Sequence, residues 1–144
     1  MSLRPQGEGP EEAGQGGSGP LRSELGQWPV QLALVPSAAP HLKGAALLVA
    51  TDCVPLAYAN FHRKFLKGKA VVMACPKLDE TGPYVQKLAD MIRLNDLNSV
   101  TVAVMEVPCC GGLVKAAMQE AGVAVTARQI IVGIRGDILE EKRL

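Results

Sequence analysis

The residues of this chain best suited to chemistry are its four cysteines, Cys53, Cys75, Cys109 and Cys110. Thiolates attack electrophiles and bind soft metals. Four of them can complete a tetrahedral zinc site or hold an iron–sulfur cluster. No CxxC pair is present, which removes zinc-ribbon and thioredoxin-type motifs. Cys109 and Cys110 run into Gly111-Gly112 and then an apolar stretch from Leu113. Backbone N–H groups at the start of a helix stabilise thiolate, and glycines let the main chain come close to a bound group. Gly111 and Gly112 are therefore candidate cofactor-contacting residues, and the four cysteines candidate metal ligands. His62 follows Cys53 by nine positions and is a candidate fifth ligand or proton donor. Asp52, Glu106 and Asp79 could orient such ligands or serve turns and caps. For Asp79 capping is favoured, because Asp79-Glu80-Thr81-Gly82-Pro83 precedes a helical pattern. His41 carries no assigned role.

These side chains need elements to bring them together. Short apolar runs predict strands over Val30–Val35, Ala45–Cys53, Ala70–Cys75, Ser99–Val107 and Gln129–Ile134. Helices are expected over Leu56–Leu66, Tyr84–Leu94 and Leu113–Ala121, the last stopped by Gly122. Tyr84, Leu88, Met91 and Ile92 follow the spacing of one buried helix face. Ile138–Leu144 reads as a short polar end. Strands alternating with helices imply βαβ units. The expected fold is α/β: a Rossmann-like three-layer sandwich with a mainly parallel sheet of about five strands. In such a sheet the carboxyl ends of the strands share one edge. Three of the expected strands end in Asp52-Cys53, in Cys75-Pro76 and in Pro108-Cys109-Cys110. The cysteines are thus expected to meet at that edge, although small buried thiols packed in a core would give the same count.

Composition sets the outer limits. Hydrophobic residues make up 48% and aromatic residues only 3%, so the core must be aliphatic. Fifteen basic residues oppose fourteen acidic ones, which gives no electrostatic footprint for nucleic acid or an anionic membrane. The apolar runs are too short to span a bilayer, and no signal peptide is legible. A cytoplasmic protein is the expectation, where thiols stay reduced and act as ligands or catalysts. Residues 1–20 are rich in Gly, Pro and Glu and are expected to form a disordered tail, with a single domain over 21–144.

Several segments carry a family resemblance. They are Leu25-Gly26-Gln27-Trp28-Pro29-Val30-Gln31-Leu32, Ala50-Thr51-Asp52-Cys53-Val54-Pro55, Tyr58-Ala59-Asn60-Phe61-His62, Cys75-Pro76-Lys77-Leu78-Asp79 and Met105-Glu106-Val107-Pro108-Cys109-Cys110-Gly111-Gly112-Leu113. They resemble the C-terminal domain of 4Fe-4S ferredoxin-type iron–sulfur cluster-binding proteins of anaerobic prokaryotes, over roughly residues 21–138. The N-terminal ferredoxin module of those proteins has no counterpart in this sequence, so its cluster motifs do not carry over. A fainter similarity links Cys75, a gap of 33 residues and Cys109-Cys110-Gly111 to the first part of a cysteine motif in heterodisulfide reductase, which holds an iron–sulfur cluster there. The later CxxC of that motif is missing.

Three function classes follow. The leading expectation is an iron–sulfur or metal-binding redox protein in electron transfer, with a 4Fe-4S cluster, or zinc, held by the four cysteines. A separate ferredoxin or other redox protein is the implied partner. The second is a zinc- or cysteine-dependent enzyme, with Cys110 as nucleophile and His62 as base. The third is a non-catalytic binding module whose cysteines only pack.

Overall fold

A computed structural model describes residues 20–75, 81–106 and 112–144. All but Pro20 of the expected tail lies outside these residues, as do Cys109, Cys110, Gly111 and Asp79. Five strands form one sheet: β1 (Ala46–Thr51), β2 (Ala70–Ala74), β3 (Ser99–Met105), β4 (Ala127–Val132) and β5 (Ile138–Arg143). Their order is β2-β1-β3-β4-β5. The first four are parallel, and β5 returns antiparallel beside β4. Three helices connect them: the single turn α1 (Val54–Ala57), then α2 (Thr81–Asn95) and α3 (Leu113–Ala121). This is the Rossmann-like, mostly parallel arrangement that the alternating pattern implies.

The strand order fixes the layers. Leaving β1, the chain steps outward to β2; from β2 to β3, and from β3 to β4, it moves the other way. Right-handed crossovers place connections of opposite direction on opposite faces. Accordingly α2 and α3 pack against each other on one face. The β1–β2 connection, with α1 and a wide five-residue turn at His62–Leu66, belongs to the other. Strands β1 and β3 are covered on both faces, and their burial is nearly continuous. Doubly covered parallel strands require such unbroken aliphatic runs. Leu47, Leu48, Val72, Val100, Leu88, Met91 and Ile130 lie at the centre of the core. Burying each such side chain contributes about 1.5–3 kcal/mol before the entropy of ordering it is subtracted.

Three expected elements differ from the structure. Val30–Val35 is not a strand. It makes one parallel bridge, Gln31 with Met73, and then turns, with the Leu34 and Val35 N–H groups donating to the Gln31 carbonyl. Its fully buried residues are Leu32 and Val35, an i, i+3 spacing that suits a turn and not a pleat. The helix expected over Leu56–Leu66 is broken at Tyr58, whose backbone is extended. The break lets the rings of Tyr58, Phe61 and Phe65 cluster, with centroids 4.9 Å (Tyr58–Phe65) and 5.8 Å (Phe61–Phe65) apart, so packing overrides local propensity. The polar end at Ile138–Leu144 is strand β5, whose pairing supplies what its side chains do not signal. Its solvent-facing charges suit an edge strand, and Glu141 forms an ion pair with Arg128 on β4.

The opposite edge is protected differently. The Gln27 side-chain amide pairs with the β2 backbone like a strand residue. Its Nε2 donates to the Val71 carbonyl at 2.7 Å, and its Oε1 accepts the Val71 N–H at 2.9 Å. Further along, the Met73 N–H donates to the Val30 carbonyl and the Leu32 N–H to that of Met73, both at 2.8 Å. Replacing Gln27 with Ala leaves the N–H and carbonyl of buried Val71 without these partners. The expected cost is about 1–3 kcal/mol in urea denaturation, with faster hydrogen exchange at the Val71 amide.

Candidate functional site

The four parallel strands end on one edge, and β1 and β3 form its centre. Chain leaving β1 turns to one face and chain leaving β3 turns to the other. The crevice between two such diverging exits is where ligands bind in open α/β sheets. Cys53 lies two residues beyond β1, and Cys75 directly follows β2. The β1–β2 ladder pairs Thr51 with Ala74, so the two cysteines leave neighbouring strands almost level. Cys53 is already helical in backbone conformation, at the cap of α1. On the other side of β1, Ala50 pairs with Ala103. Glu106 directly follows β3. Cys53 is exposed and Cys75 half-buried.

Other residues frame this edge. Glu106 Oε2 accepts the Ile134 N–H at 2.8 Å, which ties the end of β3 to the β4–β5 hairpin. The hairpin closes through the Gly133 N–H to the Asp137 carbonyl and the Gly136 N–H to the Gly133 carbonyl, both at 2.8 Å. Its tip rests on α1: a Cβ built at Gly136 would lie 2.8 Å from the Ala57 carbonyl oxygen. Two large apolar side chains stand at this rim, Leu56 at 89% and Ile134 at 70% exposure. On the helical face Gly112 begins α3 in a left-handed conformation, φ +94°, which disfavours a side chain there. Gly112 is thus explained by backbone geometry at the turn into the helix.

Thr51 is a residue to which the sequence pattern assigns no role. Its Oγ1 is buried and has no hydrogen-bond partner among the described residues. With Val102, Val104, Gly112 and Leu113 it lines a recess of about 10 Å³, room for about one water. The only signal for it is a lone hydroxyl closing an aliphatic strand.

His62 is placed elsewhere. Its Nδ1 accepts the Glu24 N–H at 3.0 Å, and the ring lines a cavity with Arg22 and Arg63. Neither Cys53 nor Cys75 lines that cavity. Two guanidinium groups beside an imidazole also disfavour a metal cation there. Among the described residues no group of three or more His, Cys, Asp or Glu side chains is placed to hold a metal. At the opposite, amino end of β2, partial burial, with the Arg128 charge adding to it, holds Lys69 below the ordinary lysine pKa.

Fold and strand order together define a doubly wound α/β domain with Cys53 and Cys75 just beyond the carboxyl ends of β1 and β2. A family model described as a Rossmann-like domain matches residues 39–144, and the chain belongs to that family. A protein of Archaeoglobus fulgidus, described as uncharacterized, is 32% identical over 118 residues, covering 80% of this chain and 83% of its own length. No solved structure matches the chain. Among the described residues no helix is long and apolar enough to cross a membrane.

The hairpin contact beside Cys53 is open to a direct check. Gly136→Ala combines a left-handed backbone with a close approach to Ala57. It is expected to cost about 2–3 kcal/mol, read as a lower urea midpoint at unchanged slope.

Proposed function

We propose that this protein is a redox protein whose metal centre, an iron–sulfur cluster of the 4Fe-4S kind, is held by Cys53, Cys75, Cys109 and Cys110. The observation that carries the reading is the exit of Cys53 and Cys75 from the same end of hydrogen-bonded parallel strands; Cys109 and Cys110, which follow β3 in sequence, lie outside the described residues. The donor chemistry fits: thiolates are the ligands of iron–sulfur clusters, and an exposed and a half-buried thiol are reachable by one. A cluster held there would supply one-electron transfer. The resemblance to the C-terminal domain of 4Fe-4S ferredoxin-type proteins supports the same reading.

The chain's own residues have definable tasks around such a centre. Gly111 and Gly112 are proposed to offer main-chain N–H groups to the thiolates, whose ionised form the positive end of the α3 dipole would favour. Leu56 and Ile134 present exposed apolar side chains on the α1 and hairpin side of this edge. A separate ferredoxin or small redox protein docking here would place its own centre within electron-transfer range. We assign the protein to the cytoplasm, whose reducing poise keeps the ligands as thiols.

The exposure of Cys53 speaks against cysteines that merely pack.

Anaerobic purification followed by iron, zinc and acid-labile sulfide analysis tests the proposal. Iron with matching sulfide is expected, together with broad visible absorption that bleaches on reduction. Cys53→Ser, Cys75→Ser, Cys109→Ser and Cys110→Ser should each remove most of the iron and sulfide while leaving the far-ultraviolet circular dichroism of the sheet intact. Zinc without sulfide would make the centre a zinc site. Metal-free protein, unchanged by all four substitutions, would overturn the reading.

A further inference from the structure

The cavity beside His62 is separate from the thiol edge and has a consistent chemistry of its own. Its volume is about 270 Å³. Leu21, Arg22 and Ser23 line one wall, and Ala59, Asn60, His62 and Arg63 the other. The walls come from two segments far apart in sequence, held together by the Glu24 N–H bond to His62 Nδ1. No acidic side chain lines the cavity among the described residues.

The hydrogen bond fixes the form of the imidazole. Nδ1 accepts, so it carries no proton, and the neutral ring bears its hydrogen on Nε2. His62 is therefore a donor toward any group that Nε2 faces. Asn60 and Ser23 add an amide and a hydroxyl. Arg22 and Arg63 bring two guanidinium groups, each with five donors in a planar fork. Arg63 also engages another group of the protein, and five donors leave capacity for a second partner. A donor-rich, doubly cationic cavity without acidic walls matches a dianion. Phosphate esters carry about −1.5 to −2 charge at neutral pH and three acceptor oxygens, which guanidinium forks grip in pairs. The volume falls just below the usual range for small-molecule sites, so the ligand is small. Leu21 and Ala59 supply a short apolar wall for its organic part.

We infer that this cavity is a binding site for a small phosphate monoester, held by Arg22 and Arg63 with the Nε2–H of His62. The site does not depend on a metal centre at the sheet edge.

Calorimetric titration of the full chain tests it, with inorganic phosphate and glycerol 3-phosphate as probes at constant ionic strength. Glycerol and succinate serve as the uncharged and dicarboxylate comparisons. Both phosphate probes are expected to saturate in or below the millimolar range, the ester more tightly. Arg22→Gln and Arg63→Gln should each weaken binding about tenfold, the loss of one charge-assisted contact. Arg63→Lys should recover part of that loss, because it restores the charge without the fork. Lys142→Gln, on exposed β5, removes the same charge elsewhere and should change nothing. Unchanged circular dichroism and Tm in the variants separate lost binding from lost folding. No saturation by either phosphate probe, equal binding by the Arg22→Gln/Arg63→Gln double variant, or succinate binding as tightly as the ester would each overturn the assignment.

Discussion

The structure depends on the two parallel ladders that β1 makes with β2 and β3. Parallel pairing cannot be closed by a tight turn, so each strand must be followed by a crossover. Right-handed crossovers then decide which face each connection takes. With β1 between its two partners, the connections after β1 and β3 must part, and a crevice opens above them. Every feature at the thiol edge follows from this. Cys53 and Cys75 are neighbours because their strands pair, although twenty-two positions separate them in the chain. Glu106 can hold the Ile134 N–H because β3 and β4 also end side by side.

Much of this was legible in the residues. Unbroken aliphatic runs gave the buried parallel strands within two residues of their ends, because a doubly covered strand leaves no room for polar alternation. Leu113–Ala121 is delimited by glycine at both ends, and each glycine adopts a left-handed backbone. The signal failed where tertiary contacts decide. The Gln27 amide replaces a strand that local pattern placed at Val30–Val35. The helix after Cys53 breaks because three aromatic rings pack better when it does. Strand β5 has no periodicity of its own and is defined by β4 and the Gly133–Gly136 turn.

The candidate site was legible to a similar depth. Cys53 and Cys75 could be matched to the ends of β1 and β2 by counting, while Cys109 and Cys110 lie outside the described residues. The place of His62 could not. Its position depends on the N-terminal segment folding back, and no pattern in residues 21–24 announces the bond to its Nδ1. Thr51 escaped for another reason: one hydroxyl at the end of a strand is ordinary until its burial is known.

The cover over β2 has a consequence for where the folding unit begins. The family match starts at residue 39, yet Gln27, Val30 and Leu32 close the raw side of β2. A chain trimmed to the boundary of the family would carry all five strands and still present unpaired amides and carbonyls along one flank. Such a flank recruits a strand from another molecule. In this protein, the segment that the family shares and the segment that closes the sheet's β2 edge have different starting points.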